Sequence, residues 1–220
     1  LSRGLGDVYK RQSQSDVTAA LVTAGSKVVA GKASTLANVT TAVTAAQGQA
    51  IAAATNINAA FAGGVEDSTS NLYDTNNTAI TTNFNAIKTE DSDVAVTISD
   101  ADFSANTNNV TIAATTLSGI GNATTGTVTV SNAVKVSGSQ SDLTAALVTS
   151  GSKVEVTDAI VVVSDADFSA NTNNVTIAAS DLKNIGNATT GTVTVTNAVK
   201  VTGSQSDVTA ALVTSGSMVE

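Results

Sequence analysis

Asp100 to Glu155 aligns without a gap on Asp165 to Glu220, and 48 of the 56 pairs are identical. Whatever one copy folds into, the next must fold into as well, so the architecture has to tolerate tandem repetition. Part of the unit occurs a third time as SQSDVTAALVTAGSKV from Ser13, which resembles the stretches starting at Ser139 and Ser204. Laying Ser180-Asp181-Leu182 on Ser206-Asp207-Val208 splits each unit into a shorter and a longer half.

Within a half-unit the apolar pattern changes period. Val193, Val195, Val199 and Val201 alternate with Thr194, Thr196, Lys200 and Thr202, which is strand period. The following SQSDVTAALVTSG reads as a short helix. Ser206 can cap it, Asp207 suits its positive end, Val208, Ala211 and Leu212 share a face, and Gly216 can stop it. The extra residues of the longer half, DADFSANTNNVTIAA from Asp165, predict a bulged loop and a further strand at Val175 to Ala178. A strand and a short helix recurring at about 26 residues fall in the range of solenoid coils. One such turn buries too few side chains to offset the ordering of its own backbone, so neighbouring turns must cover each other. The expected fold is therefore an α/β repeat, a stacked β/α solenoid with a parallel sheet. A β-sandwich is the rival architecture, but one unit is short for a sandwich and the turn signals are irregular.

Between Val29 and Glu90 the repeat pattern is lost. Leu36, Val39, Val43, Ala46, Ala50, Ala53, Ile57 and Ala60 follow one another at intervals of three and four, which predicts one long helix. Gly48 interrupts it at a cost of about 1 kcal/mol relative to Ala, and Gly63-Gly64 ends it. Ile80, Phe84 and Ile87 predict a second helix after a cap region at Asp74-Thr75, so that the solenoid is interrupted by an α-helical hairpin. A coiled coil that binds a partner is the alternative for this segment.

The first twelve residues resemble translated sequencing adapter, through Asp7-Val8-Tyr9-Lys10-Arg11-Gln12 and the preceding Leu1 to Gly6. The expected organisation is 1–12 as artefact, 13–32 as a partial repeat, 33–90 as the helical hairpin, and 91–220 as two tandem 65-residue repeats, the second incomplete. The chain is thus expected to be a fragment at both ends. Without the first twelve residues it has 7 Lys, no Arg and 17 Asp plus Glu, a net charge of −10. Such a chain repels phosphate backbones, which argues against nucleic acid and anionic membranes as partners. The most apolar run, Ala159 to Val163, is five residues long, far below the roughly 20 of a membrane helix.

The alphabet also limits chemistry. There is no His, Cys, Pro or Trp, against 35 Thr. No Ser/His/Asp triad, thiol nucleophile, disulfide, or ordinary zinc or haem site can be built, and an enzyme is not expected. The carboxylate pair Asp165/Asp167 could in principle act on a glycoside, but four Phe and one Tyr offer little to stack a sugar on, and near-identical copies argue against a unique active site. The candidate metal ligands are Asp100 and Asp102, with Asp165 and Asp167 in the second copy, at the head of the loop DADFSANTNN. Oxygen ligands at alternate positions suit calcium, although Ala105 stands where an EF-hand turn needs Gly and Thr111 where it needs a bidentate Glu. No other cofactor is expected. Phe103 and Phe168 read as anchors that tuck the loops against the core. The threonines Thr127/Thr129 and Thr192/Thr194/Thr196 invite an ice-binding reading, but the next outward positions, Glu155, Thr157, Ala159 and Val161, break the ladder. Asn-x-Thr triplets at Asn38, Asn76, Asn109, Asn122, Asn174 and Asn187 would accept glycans only in a eukaryotic secretory pathway, and read first as turn residues.

The stretches VTVTNAVKVTGSQSDVTAALVTSG and VTAAQGQAIAAATNINAAF resemble repeats of very large cell-surface proteins of marine bacteria, including those linked to swimming in cyanobacteria, and of giant type I-secreted adhesins. The glycine-rich nonapeptide of calcium-binding secretion domains does not occur in the chain. The resemblance implies an extracellular or cell-surface location and a structural spacer or scaffold role, with neighbouring repeats of the same chain as the main partners. The alternative it implies is an adhesive module, calcium-dependent or not, recognising glycans or other cells.

Overall fold

The computed structural model describes residues 13–23, 37–54, 58–103, 110–151, 154–168, 175–214 and 219–220. The adapter-like segment 1–12, most of the partial repeat beyond Thr23, Leu36 and Ile57 of the expected helical seam, the bodies of both acidic loops (104–109 and 169–174) and Gly216 lie outside them. The protein is an α/β chain with several parallel strand pairings. It divides into two units, one of residues 1–97 and 123–127, the other of 98–122 and 128–220.

The first unit opens with α1 (Gln14–Leu21). Its Ser13 and Asp16 form a reciprocal capping box, each side chain accepting the other's backbone N–H. Strand β1 (Ala37–Asn38) pairs in parallel with β2 (Ala59–Ala60), and Val43 bridges Val65 of β3 (Val65–Asp67), also in parallel. Between them lies α2 (Ala45–Ala53), started by a second capping box of Thr44 and Gln47. A single turn, α3 (Thr69–Leu72), leads to an antiparallel hairpin of β4 (Tyr73–Asp74) and β5 (Ala79–Ile80), then to α4 (Thr82–Glu90) and β6 (Val96–Ile98).

This differs from the expected helical hairpin. Helix α2 has nine residues, and its buried face is Ala45, Gly48 and Ile51, while Ala46 and Ala53 of the expected seam are exposed. Val39 and Val43 are buried as extended residues instead. An alanine-rich stretch has little apolar contrast between faces, so packing decides the phase. The deciding contact is at Gly48, where a Cβ would stand 2.4 Å from Ile87 Cδ1 of α4. The absent side chain is what lets the two helices meet. Helix α4 does bury Phe84 and Ile87 as expected, but its cap is Thr81, which accepts the Phe84 N–H, and Ile80 sits in β5. Asp74 instead organises the hairpin turn, where its carboxylate accepts the Asn76 and Asn77 N–H groups and the Asn77 amide.

The second unit begins at Ile98 of β6. Its later elements are β7 (Thr111–Ala113), α5 (Ala114–Gly121), β8 (Val128–Val130), β9 (Lys135–Gly138), α6 (Gln140–Leu147), β10 (Val154–Val156) and β11 (Ile160–Val163). The second copy adds β12 (Thr176–Ala178), α7 (Ala179–Asn187), β13 (Val193–Val195), β14 (Lys200–Thr202) and α8 (Gln205–Leu212). β8 pairs in parallel with β10, and β12 with β14. β7, β9, β11 and β13 form one parallel sheet in that order, with Ile112, Val136, Val161 and Val193 in register and buried. Val219 adds a further parallel bridge to Val193. Alternation sends the valines inward, and the register keeps them stacked on one another.

Three local expectations change. The alternating stretch from Val193 to Thr202 is two strands, β13 and β14, with a corner between them. Ser204 rather than Ser206 caps α8, accepting the Asp207 N–H at 3.1 Å. The predicted extra strand is β12, one residue shorter than expected at its start.

Strand β11 lies between the two aligned copies and is hydrogen-bonded to strands of both. Counted within the first copy it follows β7 and β9, pairing Ile160–Val163 with Lys135–Gly138. Counted within the second it comes first, and Val161–Val163 pair with Val193–Val195. One strand thus closes a row of turns and opens the next. The corresponding strand of the first copy, β6, has its first residues in the first unit, where Val65 N–H donates to the Ala95 carbonyl and Val96 N–H to the Thr127 carbonyl.

Candidate functional site

The two acidic loops start from matching frames in the second unit. Asn132 Nδ2 donates to the Asp100 carbonyl at 2.7 Å, and Asn197 Nδ2 to the Asp165 carbonyl at 2.6 Å. The Phe103 N–H donates to the Ala133 carbonyl and the Phe168 N–H to the Ala198 carbonyl, at 2.7 and 2.6 Å. Each loop mouth is therefore clamped on the corner between the two strands of the next turn. Phe103 is half-buried under Lys135, whose Nζ lies 5.6 Å from the ring centroid, within cation–π range. Phe168 is exposed.

The four acidic candidates are not equivalent. Asp100 is buried, while Asp102 and Asp167 are exposed. Asp165 Oδ2 accepts the Gln140 N–H, the first of helix α6, at 2.7 Å. A carboxylate there satisfies a donor that has no intrahelical partner and faces the positive end of the helix dipole. The same relation recurs in the first unit. Ala45 N–H, at the start of α2, donates to Asp67 Oδ2 at 2.9 Å, and Gln14 N–H, at the start of α1, donates to Thr41 Oγ1 at 2.8 Å. In each case the acceptor comes from the following turn, 22 to 27 residues later. Among the described residues no group of three or more Asp, Glu, His or Cys could hold a metal ion.

A second acidic group, which the sequence reading missed, lies at the end of α4. Glu90 Oε2 accepts the Ala59 N–H at 3.3 Å and Asp91 Oδ2 accepts the Phe61 N–H at 2.6 Å, so the two carboxylates cap β2 and the residue after it. Partial burial, aided by the Asp93 carboxylate, pushes the Asp91 carboxyl above the usual carboxylate range, against the Phe61 N–H, which lowers it. Asp74 moves the opposite way. The Asn77 amide and the Asn76 N–H hold it below its ordinary value. The local signal for the first group was the run Glu90-Asp91-Ser92-Asp93 directly after a helix.

The Thr-Thr-Gly-Thr corners also do structural work. In the second unit Thr189 Oγ1 donates to the Ala159 carbonyl at 2.7 Å and accepts the Gly191 N–H at 3.0 Å. In the first unit Thr124 Oγ1 donates to the Val94 carbonyl at 2.7 Å and accepts the Gly126 N–H at 2.9 Å. Both threonines are buried, and both belong to the Asn-x-Thr triplets at Asn187 and Asn122. Asn76 is exposed in the hairpin turn, Asn38 Oδ1 is buried without a hydrogen-bond partner among the described residues, and Asn109 and Asn174 fall outside those residues. Thr129 pairs with Glu155, and Thr194 with Val162, across their parallel ladders.

No helix among the described residues is long and apolar enough to cross a membrane. No family model, curated protein or solved structure matches the chain.

Proposed function

We propose that this chain is a spacer or scaffold block of an extracellular cell-surface repeat protein, in which strand–helix turns stack as a β/α solenoid and the copies add reach. The observation that carries this reading is β11, hydrogen-bonded to β9 along one edge and to β13 along the other. Two copies joined through one hydrogen-bonded strand have no linker to flex, and each additional copy would repeat the same joint. The acidic surface charge opposes self-association, and near-identical copies repeat contacts without adding chemistry. An alphabet without His or Cys fits a role that is not catalytic.

The test is to insert one further copy of the repeated unit into the full chain and measure the maximum dimension by small-angle X-ray scattering. A constant increment for each inserted copy is expected. Copies that scatter as independent bodies joined by a flexible hinge would overturn the reading.

An adhesive reading rests on Asp102 and Asp167, exposed at the mouths of the repeated loops. Glycan-array binding that rises with added calcium and is lost in the Asp102→Ala, Asp167→Ala double variant would favour it over the spacer.

A further inference from the structure

We propose that Asn76, at the tip of the β4–β5 hairpin, is an acceptor for N-linked glycan, its donor a lipid-pyrophosphate-linked oligosaccharide delivered by an oligosaccharyltransferase that acts on the folded chain. Six Asn-x-Thr triplets compete for that role, and two independent criteria select the same one. The first is access, because an enzyme must reach both the asparagine amide and the threonine hydroxyl two residues on. Thr124 and Thr189 are buried with their hydroxyls donating to backbone carbonyls, which removes Asn122 and Asn187. The Asn38 side-chain oxygen is buried as well. Thr75, Asn76, Asn77 and Thr78 are all exposed, in the loop that joins the paired residues Asp74 and Ala79.

The second criterion is charge. An acidic side chain two residues before the asparagine gives an enzyme a fixed charge to hold, and Asp-x-Asn-x-Thr is the longer pattern that suits oligosaccharyltransferases of bacteria. It frees the site from the eukaryotic pathway that the bare triplet implies. Asp74 stands two residues before Asn76, whereas the same position holds Leu36, Thr107, Ile120, Thr172 or Ile185 before the others. Asn109 and Asn174 therefore fail on charge.

The backbone of the turn adds a third sign. Thr78 has φ 49°, the one non-glycine residue in the left-handed region among the described residues. A β-branched side chain is costly there, and glycine or asparagine would fill the position with less strain. Local stability does not account for threonine at this place, and a required hydroxyl two residues after Asn76 does. In the transfer, Asn76 Nδ2 attacks the anomeric carbon of the oligosaccharide. The N–C bond forms as the C–O bond to pyrophosphate breaks, the lipid pyrophosphate leaves with the bonding pair, the amide gives up one proton to water, and nothing is oxidised or reduced. The site depends on the extracellular location in the proposed reading and not on the stacking of the copies.

The full chain is incubated with a purified bacterial oligosaccharyltransferase and a synthetic lipid-pyrophosphate-linked oligosaccharide, and modification is read by intact mass and glycopeptide sequencing. One glycan per chain, on Asn76, is expected. Asn76→Gln and Thr78→Gly should lose it, and Thr78→Ser should keep it. Asp74→Asn, which leaves an oxygen for the turn but no charge, should lose it as well. The melting temperature of Thr78→Gly should be no lower than that of wild type, so that its loss of glycan reports the missing hydroxyl and not a broken hairpin. An unmodified chain beside a fully converted control peptide would overturn the proposal, as would glycan on another triplet, glycan on Thr78→Gly, or a lower melting temperature for that variant.

Discussion

The Asp165 carboxylate accepts a 2.7 Å hydrogen bond from the Gln140 backbone N–H, 25 residues earlier in the chain. It makes a loop residue of one turn responsible for starting the helix of the turn before. Asp165→Ala should therefore destabilise the chain by about 0.5–2 kcal/mol, as other helix-start losses do. Asp165→Asn, which keeps an acceptor oxygen, should recover most of it. Urea denaturation of the three proteins checks this, and an unchanged midpoint for Asp165→Ala would count against the role.

Gly191 and Gly151 both follow a Thr and a Thr or Ser, yet only one is structurally demanding. A Cβ on Gly191 would stand 2.2 Å from the Ala159 carbonyl oxygen, a backbone atom that cannot swing aside, whereas a Cβ on Gly151 meets nothing within 4 Å. Gly191→Ala should cost about 1–3 kcal/mol or more, and Gly151→Ala should stay within about 0.5 kcal/mol of wild type. Thermal melts of the two variants side by side separate these outcomes.

Gly48 and Ile87 should behave as a coupled pair. Gly48→Ala gains about 1 kcal/mol of helix propensity but drives a methyl group into the Ile87 side chain. Ile87→Val alone should cost about 0.5–1.5 kcal/mol. With both changes the worse of the two Ile87 contacts, Cδ1 at 2.4 Å, is gone while Cγ1 at 2.7 Å remains, so the double variant should be partly relieved and more stable than the sum of the single effects allows. A double-mutant cycle in urea gives the coupling directly.

The Asp91 carboxyl sets a pH dependence of known sign. Its folded pKa is raised, so its contribution to stability is full below the unfolded value of about 3.9 and is lost as pH rises through the folded value. Asp91→Asn, which still offers an oxygen to the Phe61 N–H, should gain on wild type as pH rises from about 3 to about 7. Asp74, held low by its hairpin turn, acts oppositely: its contribution is present above the unfolded value and fades as pH falls through the folded one. Denaturation midpoints measured across that range for Asp91→Asn and wild type test the first statement.

The alternation of valine and threonine and the recurring Ser-x-Ser-Asp made the strands and helices of the repeated unit readable, because those signals are local. Ala46, Ala50 and Ala53 misled for a physical reason. Their spacing is helical, but methyl groups supply so little contrast that Gly48 against Ile87 fixed the phase, and that contact joins α2 to α4 across the hairpin between them. The structural role of the acids was not legible either. Asp165 carries the spacing of an oxygen ligand, while its actual partner, Gln140 N–H, can be found only once the strands are paired. Glu90 and Asp91 reach back to Ala59 and Phe61, another pairing no local pattern records.

The pairing of β11 with strands of both copies bears on how such a gene can change. Long, nearly identical tracts misalign during replication and recombination, adding or deleting whole copies. Because the strand that opens one copy pairs with the preceding copy on one edge and with its own copy on the other, gaining or losing one whole copy leaves each hydrogen-bonded edge facing the partner it had before. A slip by an odd number of residues would turn valines outward and threonines in. Copy number can therefore drift while the joint between copies is inherited intact.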